Sequence, residues 1–192
     1  LYLPTATSNR VCLECSAGKA KASAGQTACT SCVLTAGEYQ DQAGQSSCKS
    51  LAACNAGYVR AEFSTTSAGR CAGCPAGQFK ENAGEWQDDC SPCLAGAHAQ
   101  STASTACAPC TAGTYQAQGG KPTCEQCPIG RFSNQDGRIN LADCTHCASG
   151  KYNDQKGSIR CLLCSAGTFG DASKTTSSAS HCVSCPKGRF QE

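Results

Sequence analysis

The chain has 192 residues, a formal net charge of +2 at pH 7 and 20 cysteines, about one residue in ten. Cytosolic thiols are kept reduced, so this cysteine content predicts an oxidising setting, outside the cell or on its surface, with disulfides holding the fold. The scattered single cations exclude the basic footprint of a nucleic-acid-binding protein, and no apolar stretch reaches the length of a membrane span.

The chain begins with neither an initiator methionine nor a signal peptide. We therefore expect a fragment in which residues 1–11 are the remainder of a preceding segment. Tandem cysteine-rich repeats then occupy residues 12–185, and residues 186–192 start a further repeat. The aromatic content of 6% leaves too few large side chains for one shared core, so each repeat needs its own cross-link.

Ten cysteine pairs lie along the repeats, with 13 to 17 residues between one pair and the next. Nine pairs have the form C-x-x-C, and the exception is the wider pair Cys48 and Cys54. A nearly fixed spacing within pairs and a variable loop between them predict rigid junctions that alternate with tolerant hairpins. We number the nine loops as repeats one to nine, each beginning at the second cysteine of a pair.

A glycine follows the second cysteine by three residues in nine of the ten pairs, and an aromatic residue usually lies two positions beyond it. The glycine predicts a tight turn because it adopts positive φ easily, and we expect the ring to lie over the adjacent disulfide. A second turn signal, such as Ala43-Gly44 or Asp136-Gly137, precedes most of the following pairs, which leaves room only for a short two-stranded ribbon. The predicted fold class is a set of small disulfide-rich repeats, an elongated rod of short β-ribbon and loop modules with little or no helix. The expected structural ring positions are Tyr39, Tyr58, Phe79, Tyr115, Phe132, Tyr152, Phe169 and Phe190.

Two disulfide connectivities fit the spacing. A crossed pattern, such as 12–29 with 15–32, uses all twenty cysteines in five modules and predicts alternating loop lengths. A serial pattern joins the second cysteine of one pair to the first of the next and treats every repeat alike, which the near-uniform loops favour. The serial pattern leaves Cys12 and Cys185 unpaired within the chain and predicts the bonds Cys15–Cys29, Cys32–Cys48, Cys54–Cys71, Cys74–Cys90, Cys93–Cys107, Cys110–Cys124, Cys127–Cys144, Cys147–Cys161 and Cys164–Cys182.

The remaining motifs predict no catalytic residue, no cofactor and no metal site. No nucleophile elbow, zinc-protease motif or phosphate-binding loop is present. Paired C-x-x-C motifs also occur in zinc ribbons, but the regular glycine and ring after almost every pair favour disulfides. Trp86 lies in a loop flanked by acids, where it either caps a junction or forms an exposed anchor for a partner chain. The Ser/Thr-rich stretches 100–105 and 173–180 are candidates for O-linked glycans.

The segment from Cys110 to Phe132 contains this pattern twice in succession, as C-x-x-G-x-Y and then as C-x-x-C-P-x-G-x-F. It resembles the cysteine-rich repeat of ephrin-receptor ectodomains and the first half-module of tumour necrosis factor receptor repeats. Similar units recur in arrays on protist and algal surfaces, including ciliate surface antigens and mastigoneme proteins. The resemblance implies an elongated rod in which each unit contacts only its neighbours, and it implies no enzyme activity.

We expect a structural extracellular or cell-surface protein, a rod or filament-forming spacer, with a ciliary or flagellar surface filament as one setting. The expected partners are other protein chains, including copies of itself in a filament. We expect neither nucleic acid as a partner nor insertion of this segment into a bilayer. The alternative is a receptor-like or adhesive ectodomain that binds a protein ligand through its loop tips.

Overall fold

The structure is a computed structural model that describes residues 11–24, 28–170 and 182–189. Within these ranges the chain forms nine two-stranded β-ribbons and two 3₁₀ turns, with no α-helix. In the same ranges, no helix has the length and apolar character needed to cross a bilayer. Phe190, most of the segment 1–11 and the Ser/Thr-rich stretch 173–180 lie outside the described residues.

Each ribbon pairs two strands that follow one another in the sequence, and most strands are two residues long because turns lie close to both ends. The 3₁₀ turns are Leu34–Ala36 and Leu141–Asp143. In chain order the strands are Lys19–Ala20 (β1), Thr30–Ser31 (β2), Glu38–Tyr39 (β3), Lys49–Ser50 (β4), Tyr58–Ala61 (β5), Arg70–Gly73 (β6), Gln78–Phe79 (β7), Ser91–Pro92 (β8), Ala97–His98 (β9), Ala108–Pro109 (β10), Thr114–Tyr115 (β11), Glu125–Gln126 (β12), Arg131–Phe132 (β13), Thr145–His146 (β14), Lys151–Tyr152 (β15), Leu162–Leu163 (β16), Thr168–Gly170 (β17) and Cys182–Ser184 (β18).

The ribbon register places the ring position next to the turn and the C-x-x-C pair on the returning strand. In repeat six, for example, antiparallel pairing sets Tyr115 opposite Glu125, and in repeat seven it sets Phe132 opposite Thr145. The small disulfide-rich β-ribbon module predicted from the cysteine pattern is therefore confirmed.

Most of the positive-φ positions in the described chain are glycines, and Glu62 and Ala103 are the two non-glycine exceptions. Gly120 and Gly137, in the second turns of repeats six and seven, have φ of 72° and 69°. Repeat five has no glycine there, and Ala103 adopts φ 58° instead. A left-handed alanine costs about 1–2 kcal/mol, so the surrounding contacts must impose this conformation.

The buried centre of each repeat is a cystine and not a hydrophobic cluster. The second cysteine of each pair is fully buried at Cys74, Cys110 and Cys127. The described rings are half-buried or exposed, with 40% of Tyr58 and 39% of Phe169 accessible to solvent. The rings therefore lie at the margin of a core that is made mainly of disulfide sulfur.

The irregular pair formed by the fifth and sixth cysteines, Cys48 and Cys54, contains a three-residue insertion. Leu51 is buried and its N–H donates to the carbonyl of Gly37. In the preceding repeat the N–H of Cys32 makes the same bond to Gly18. Leu51 thus takes the usual place of the second cysteine, and Cys54 starts the next repeat three residues later.

The chain divides into two compact units. The first consists of Leu1–Cys54, Arg60–Cys71 and Glu85–Gln87, and the second of Asn55–Val59, Ala72–Gly84 and Asp88–Glu192. Repeats five to nine lie wholly in the second unit and provide the most regular junctions of the described chain.

Candidate functional site

The cysteines of the structure are bonded in series. Cys12 is an exposed free thiol and Cys185 a half-buried one. Each bond closes one loop, so every pair between the first and the last holds one cysteine bonded backward along the chain and one bonded forward. The nine disulfides are Cys15–Cys29, Cys32–Cys48, Cys54–Cys71, Cys74–Cys90, Cys93–Cys107, Cys110–Cys124, Cys127–Cys144, Cys147–Cys161 and Cys164–Cys182.

Backbone hydrogen bonds join successive repeats, and the junction of repeats six and seven shows the pattern. The N–H of Gly113 donates to the carbonyl of Ser133 at 2.7 Å, and the N–H of Gly137 donates to the carbonyl of Cys110 at 2.7 Å. Equivalent pairs recur at several other junctions within the second unit. Because backbone groups make these bonds, the junction tolerates different side chains while keeping one geometry.

The glycine after each junction is required for a second reason besides its positive φ. A Cβ on Gly113 would lie 2.1 Å from the carbonyl oxygen of Gly157, and a Cβ on Gly77 would lie 2.1 Å from that of Gly120. Gly157 belongs to repeat eight, two repeats beyond Gly113. The expectation that each unit contacts only its neighbours is therefore wrong, because the second turn folds back against the next-but-one repeat.

A buried polar side chain follows the ring position in many repeats. Gln116 is 4% exposed, and its Nε2 donates to the carbonyl of Thr123 at 2.8 Å while its Oε1 accepts from the N–H of Gln118 at 3.1 Å. Asn153 is equally buried and its Nδ2 donates 2.7 Å across to the carbonyl of Arg131 in the preceding repeat.

These amides hold the loops in shape. The pattern of ring positions did not predict their role, although a polar residue directly after the ring was a signal in the sequence that could have indicated it. Buried members of this set are Gln40, Lys80, Gln116, Ser133 and Asn153.

Lys80 fills this buried position in repeat four with a cation. Its Nζ donates to the carbonyl of Tyr58 at 3.2 Å and lies 3.9 Å from the carboxylate of Asp88. A buried ammonium needs such partners because desolvation is costly, so Lys80 acts as a structural link to the preceding repeat.

Trp86 packs within the first unit. Its indole ring contacts Phe63 edge-on, with centroids 5.5 Å apart, and a Cβ on Gly37 would lie 2.4 Å from its Nε1. The amide of Gln87 donates to the carbonyl of Thr35 at 3.4 Å. The indole therefore covers the glycine turn of repeat two, which favours a junction cap over an exposed anchor.

Hydrogen-bonded pairs on the surface of the ribbons shift the pKa of several side chains. A hydrogen bond from Lys49 lowers the pKa of Asp41, and the two groups are 2.6 Å apart. The hydroxyl of Tyr115 donates to Glu125 at 2.8 Å, and this bond raises the Tyr115 pKa. Such pairs add little to stability because water screens them, and they give no catalytic grouping.

One cluster has the residue types of a metal site. The Nδ1 of His98 lies 3.3 Å from the sulfur of Cys124, and Cys110 completes a group whose ligand atoms lie within 4.8 Å of one another. Cys110 and Cys124 are bonded to each other, however, so neither offers the thiolate that zinc binds. The cluster belongs to the disulfide ladder.

An open groove lies on the surface of repeats five to seven. Tyr115, Glu125, Ile139, Asn140 and Leu141 line it. Both Ile139 and Leu141 are exposed. The groove combines apolar contact area with one carboxylate, as a peptide-binding surface would.

Comparison with known proteins identifies the module. The family model described as tyrosine-protein kinase ephrin type A/B receptor-like matches residues 62–106, 99–139 and 130–180. The three matches are tandem and together span more than half of the chain. No curated protein matches the sequence.

Proposed function

Because the chain belongs to the ephrin type A/B receptor-like family of cysteine-rich repeats, we propose that it is a structural cell-surface protein, a rod or filament-forming spacer. Repeats of this family are non-catalytic disulfide-rich modules. Nine disulfides and this family indicate an extracellular, oxidising setting. The finer proposal is a spacer in a surface filament, such as that of a cilium or flagellum, with other copies of the chain as partners.

The serial disulfides are the observation that supports a spacer. Tension along the chain passes through each disulfide and bypasses the loop that the bond closes. In repeat six the Cys110–Cys124 bond spans 5.7 Å between Cα atoms, and the step from Cys124 to Cys127 adds at most about 10 Å. The oxidised repeat therefore extends to about 16 Å, whereas the reduced repeat of about 17 residues would reach roughly 58 Å.

Force spectroscopy of single molecules tests this mechanism. We expect the oxidised chain to resist extension beyond about 16 Å per repeat, and the reduced chain to lengthen about fourfold under the same force. Electron microscopy of the purified protein should show regular filaments. An oxidised chain that lengthens like a free polypeptide would contradict the proposed spacer.

The groove favours a receptor-like or adhesive ectodomain as the second candidate. Tyr115 and Leu141 offer the aromatic and aliphatic contacts that dominate protein interfaces. Under this alternative the protein stays monodisperse and beads coated with it adhere to cells. Leu141→Ser should then abolish adhesion, while Leu94→Ser, which changes an exposed leucine that does not line the groove, should leave it unchanged.

A further inference from the structure

The side chain opposite the ring changes character near the C-terminal end of the described chain. In repeats six and seven the rings Tyr115 and Phe132 face Glu125 and Thr145, and Lys49 and Ser91 face the rings of repeats two and four. In repeats eight and nine the opposite residues are aliphatic. The register sets Tyr152 opposite Leu162 and Phe169 opposite Val183.

Each pair places two apolar side chains on one face of its ribbon, and we name the four residues the C-terminal stripe: Tyr152, Leu162, Phe169 and Val183. Residues directly opposite in an antiparallel pair lie on the same face. Leu162 is 44% exposed and Val183 49%, and strand β17 lies against β15. Contiguous exposed apolar side chains of this kind mark interaction sites.

Most charged residues of the described chain from residue 147 onward are cations. Among the described residues from 147 onward, Asp154 is the sole acid. Two stripe copies facing each other would bring like charges together, so a symmetric self-contact is disfavoured. The cations, all exposed, are Lys151, Lys156, Arg160, Lys187 and Arg189.

Repeat four has the opposite charge. Glu81, Asp88 and Asp89 are exposed there, while its one cation, Lys80, is buried. The half-buried ring of Phe79 lies two residues before Glu81 and offers apolar contact. The two regions of one chain are thus complementary in charge, and both offer apolar contact.

We propose that the C-terminal stripe of one copy docks on the acidic repeat four of a second copy. The inference rests on the proposed spacer function and names the contact that would assemble it. The two surfaces differ, so a bound pair still presents one unused stripe and one unused repeat four, and the contact propagates into an open chain. Four side chains form an area well below the roughly 800 Å² per partner of a stable complex, so assembly depends on concentration and salt.

Sedimentation velocity of the full chain at increasing concentration tests the contact. We expect Leu162→Thr with Val183→Thr to raise the half-assembly concentration roughly tenfold or more. Threonine already faces the ring of repeat seven, so this variant is compatible with the ribbon fold. Leu94→Ser, a change at an exposed leucine outside the stripe, is the matched control and should assemble like the unaltered chain.

Charge reversal tests the occupant. Lys151→Glu with Arg160→Glu should prevent assembly, and adding Glu81→Lys with Asp89→Lys in the same chain should restore it. A chain that stays monomeric at all concentrations, or assembly that survives the Leu162 and Val183 changes, would overturn the inference. Capture of a different protein without self-assembly would also overturn it. In each case the extension limit measured by force remains a separate test of the spacer function.

Discussion

Replacing Gly113 by alanine tests whether the junction glycine is needed for conformation alone or also for close packing. Gly113 has φ 84°, and its Cβ would lie 2.1 Å from the carbonyl oxygen of Gly157. Gly150 occupies the same place in repeat eight with φ 78°, and no described atom lies within 4 Å of its Cβ position. The two variants therefore share the cost of the left-handed conformation, but only Gly113→Ala adds a steric clash with the carbonyl oxygen of Gly157.

The expected magnitudes follow from these contacts. A left-handed alanine costs about 1–2 kcal/mol at either site. At Gly113 the turn that contains Gly157 must also move away by about 1 Å. This movement breaks the hydrogen bond from the N–H of Gly157 to the carbonyl of Cys127 and strains the bond from the N–H of Gly113 to the carbonyl of Ser133. Each backbone hydrogen bond contributes about 1 kcal/mol, so Gly113→Ala should cost about 2 kcal/mol more than Gly150→Ala.

Native-state hydrogen exchange with the disulfides intact measures this difference locally. The amide of Gly157 should exchange about 30-fold faster in Gly113→Ala than in Gly150→Ala, as a difference of about 2 kcal/mol requires. Equal protection of the Gly157 amide in the two variants would refute the close-packing argument and leave positive φ as the only reason for glycine.

Three further outcomes are expected. Non-reducing peptide mapping should find each second cysteine linked to the first cysteine of the next pair, and a Cys12–Cys29 link would contradict the serial order. Gln116→Ala and the size-matched Gln116→Met should both lose about 1–3 kcal/mol in denaturant unfolding, because either change leaves two loop backbone groups without their partner; an unaffected methionine variant would show that only volume matters. Glu125→Gln should lower the Tyr115 pKa toward its ordinary value in an NMR titration. Because the folded-state pKa of Tyr115 is raised, the pair stabilises the fold below the unfolded-state pKa, and this stabilisation is lost as the pH rises through the folded-state pKa. An unchanged Tyr115 pKa in the glutamine variant would refute the assigned cause.

The module could be predicted from the sequence because its determinants are local. Cysteine spacing sets the loop that each bond closes, and the glycine three residues later sets the first turn. Ribbon length follows from the distance between the two turns. Each of these depends on residues within one repeat, and the repetition makes them visible without any structure.

Other features depend on residues that only the folded array brings together. Trp86 contacts Gly37, which is distant from it in the sequence. No spacing rule predicts that a side chain from repeat four covers the turn of repeat two. Ala103 adopts a glycine-like conformation because its neighbours impose it. Burial of Gln116 likewise follows from packing between repeats.

Cysteine and glycine spacing alone specifies an array of cross-linked β-ribbon repeats, since cysteine and glycine act through their covalent and backbone properties wherever they occur. How those repeats meet depends on contacts that form only in the folded array. The approach of Gly113 to Gly157, two repeats away, and the apolar stripe formed by Leu162 and Val183 both depend on strand register and on the stacking of successive repeats. Register and stacking depend on the positions of several segments in space at once, which residue spacing along one chain does not specify.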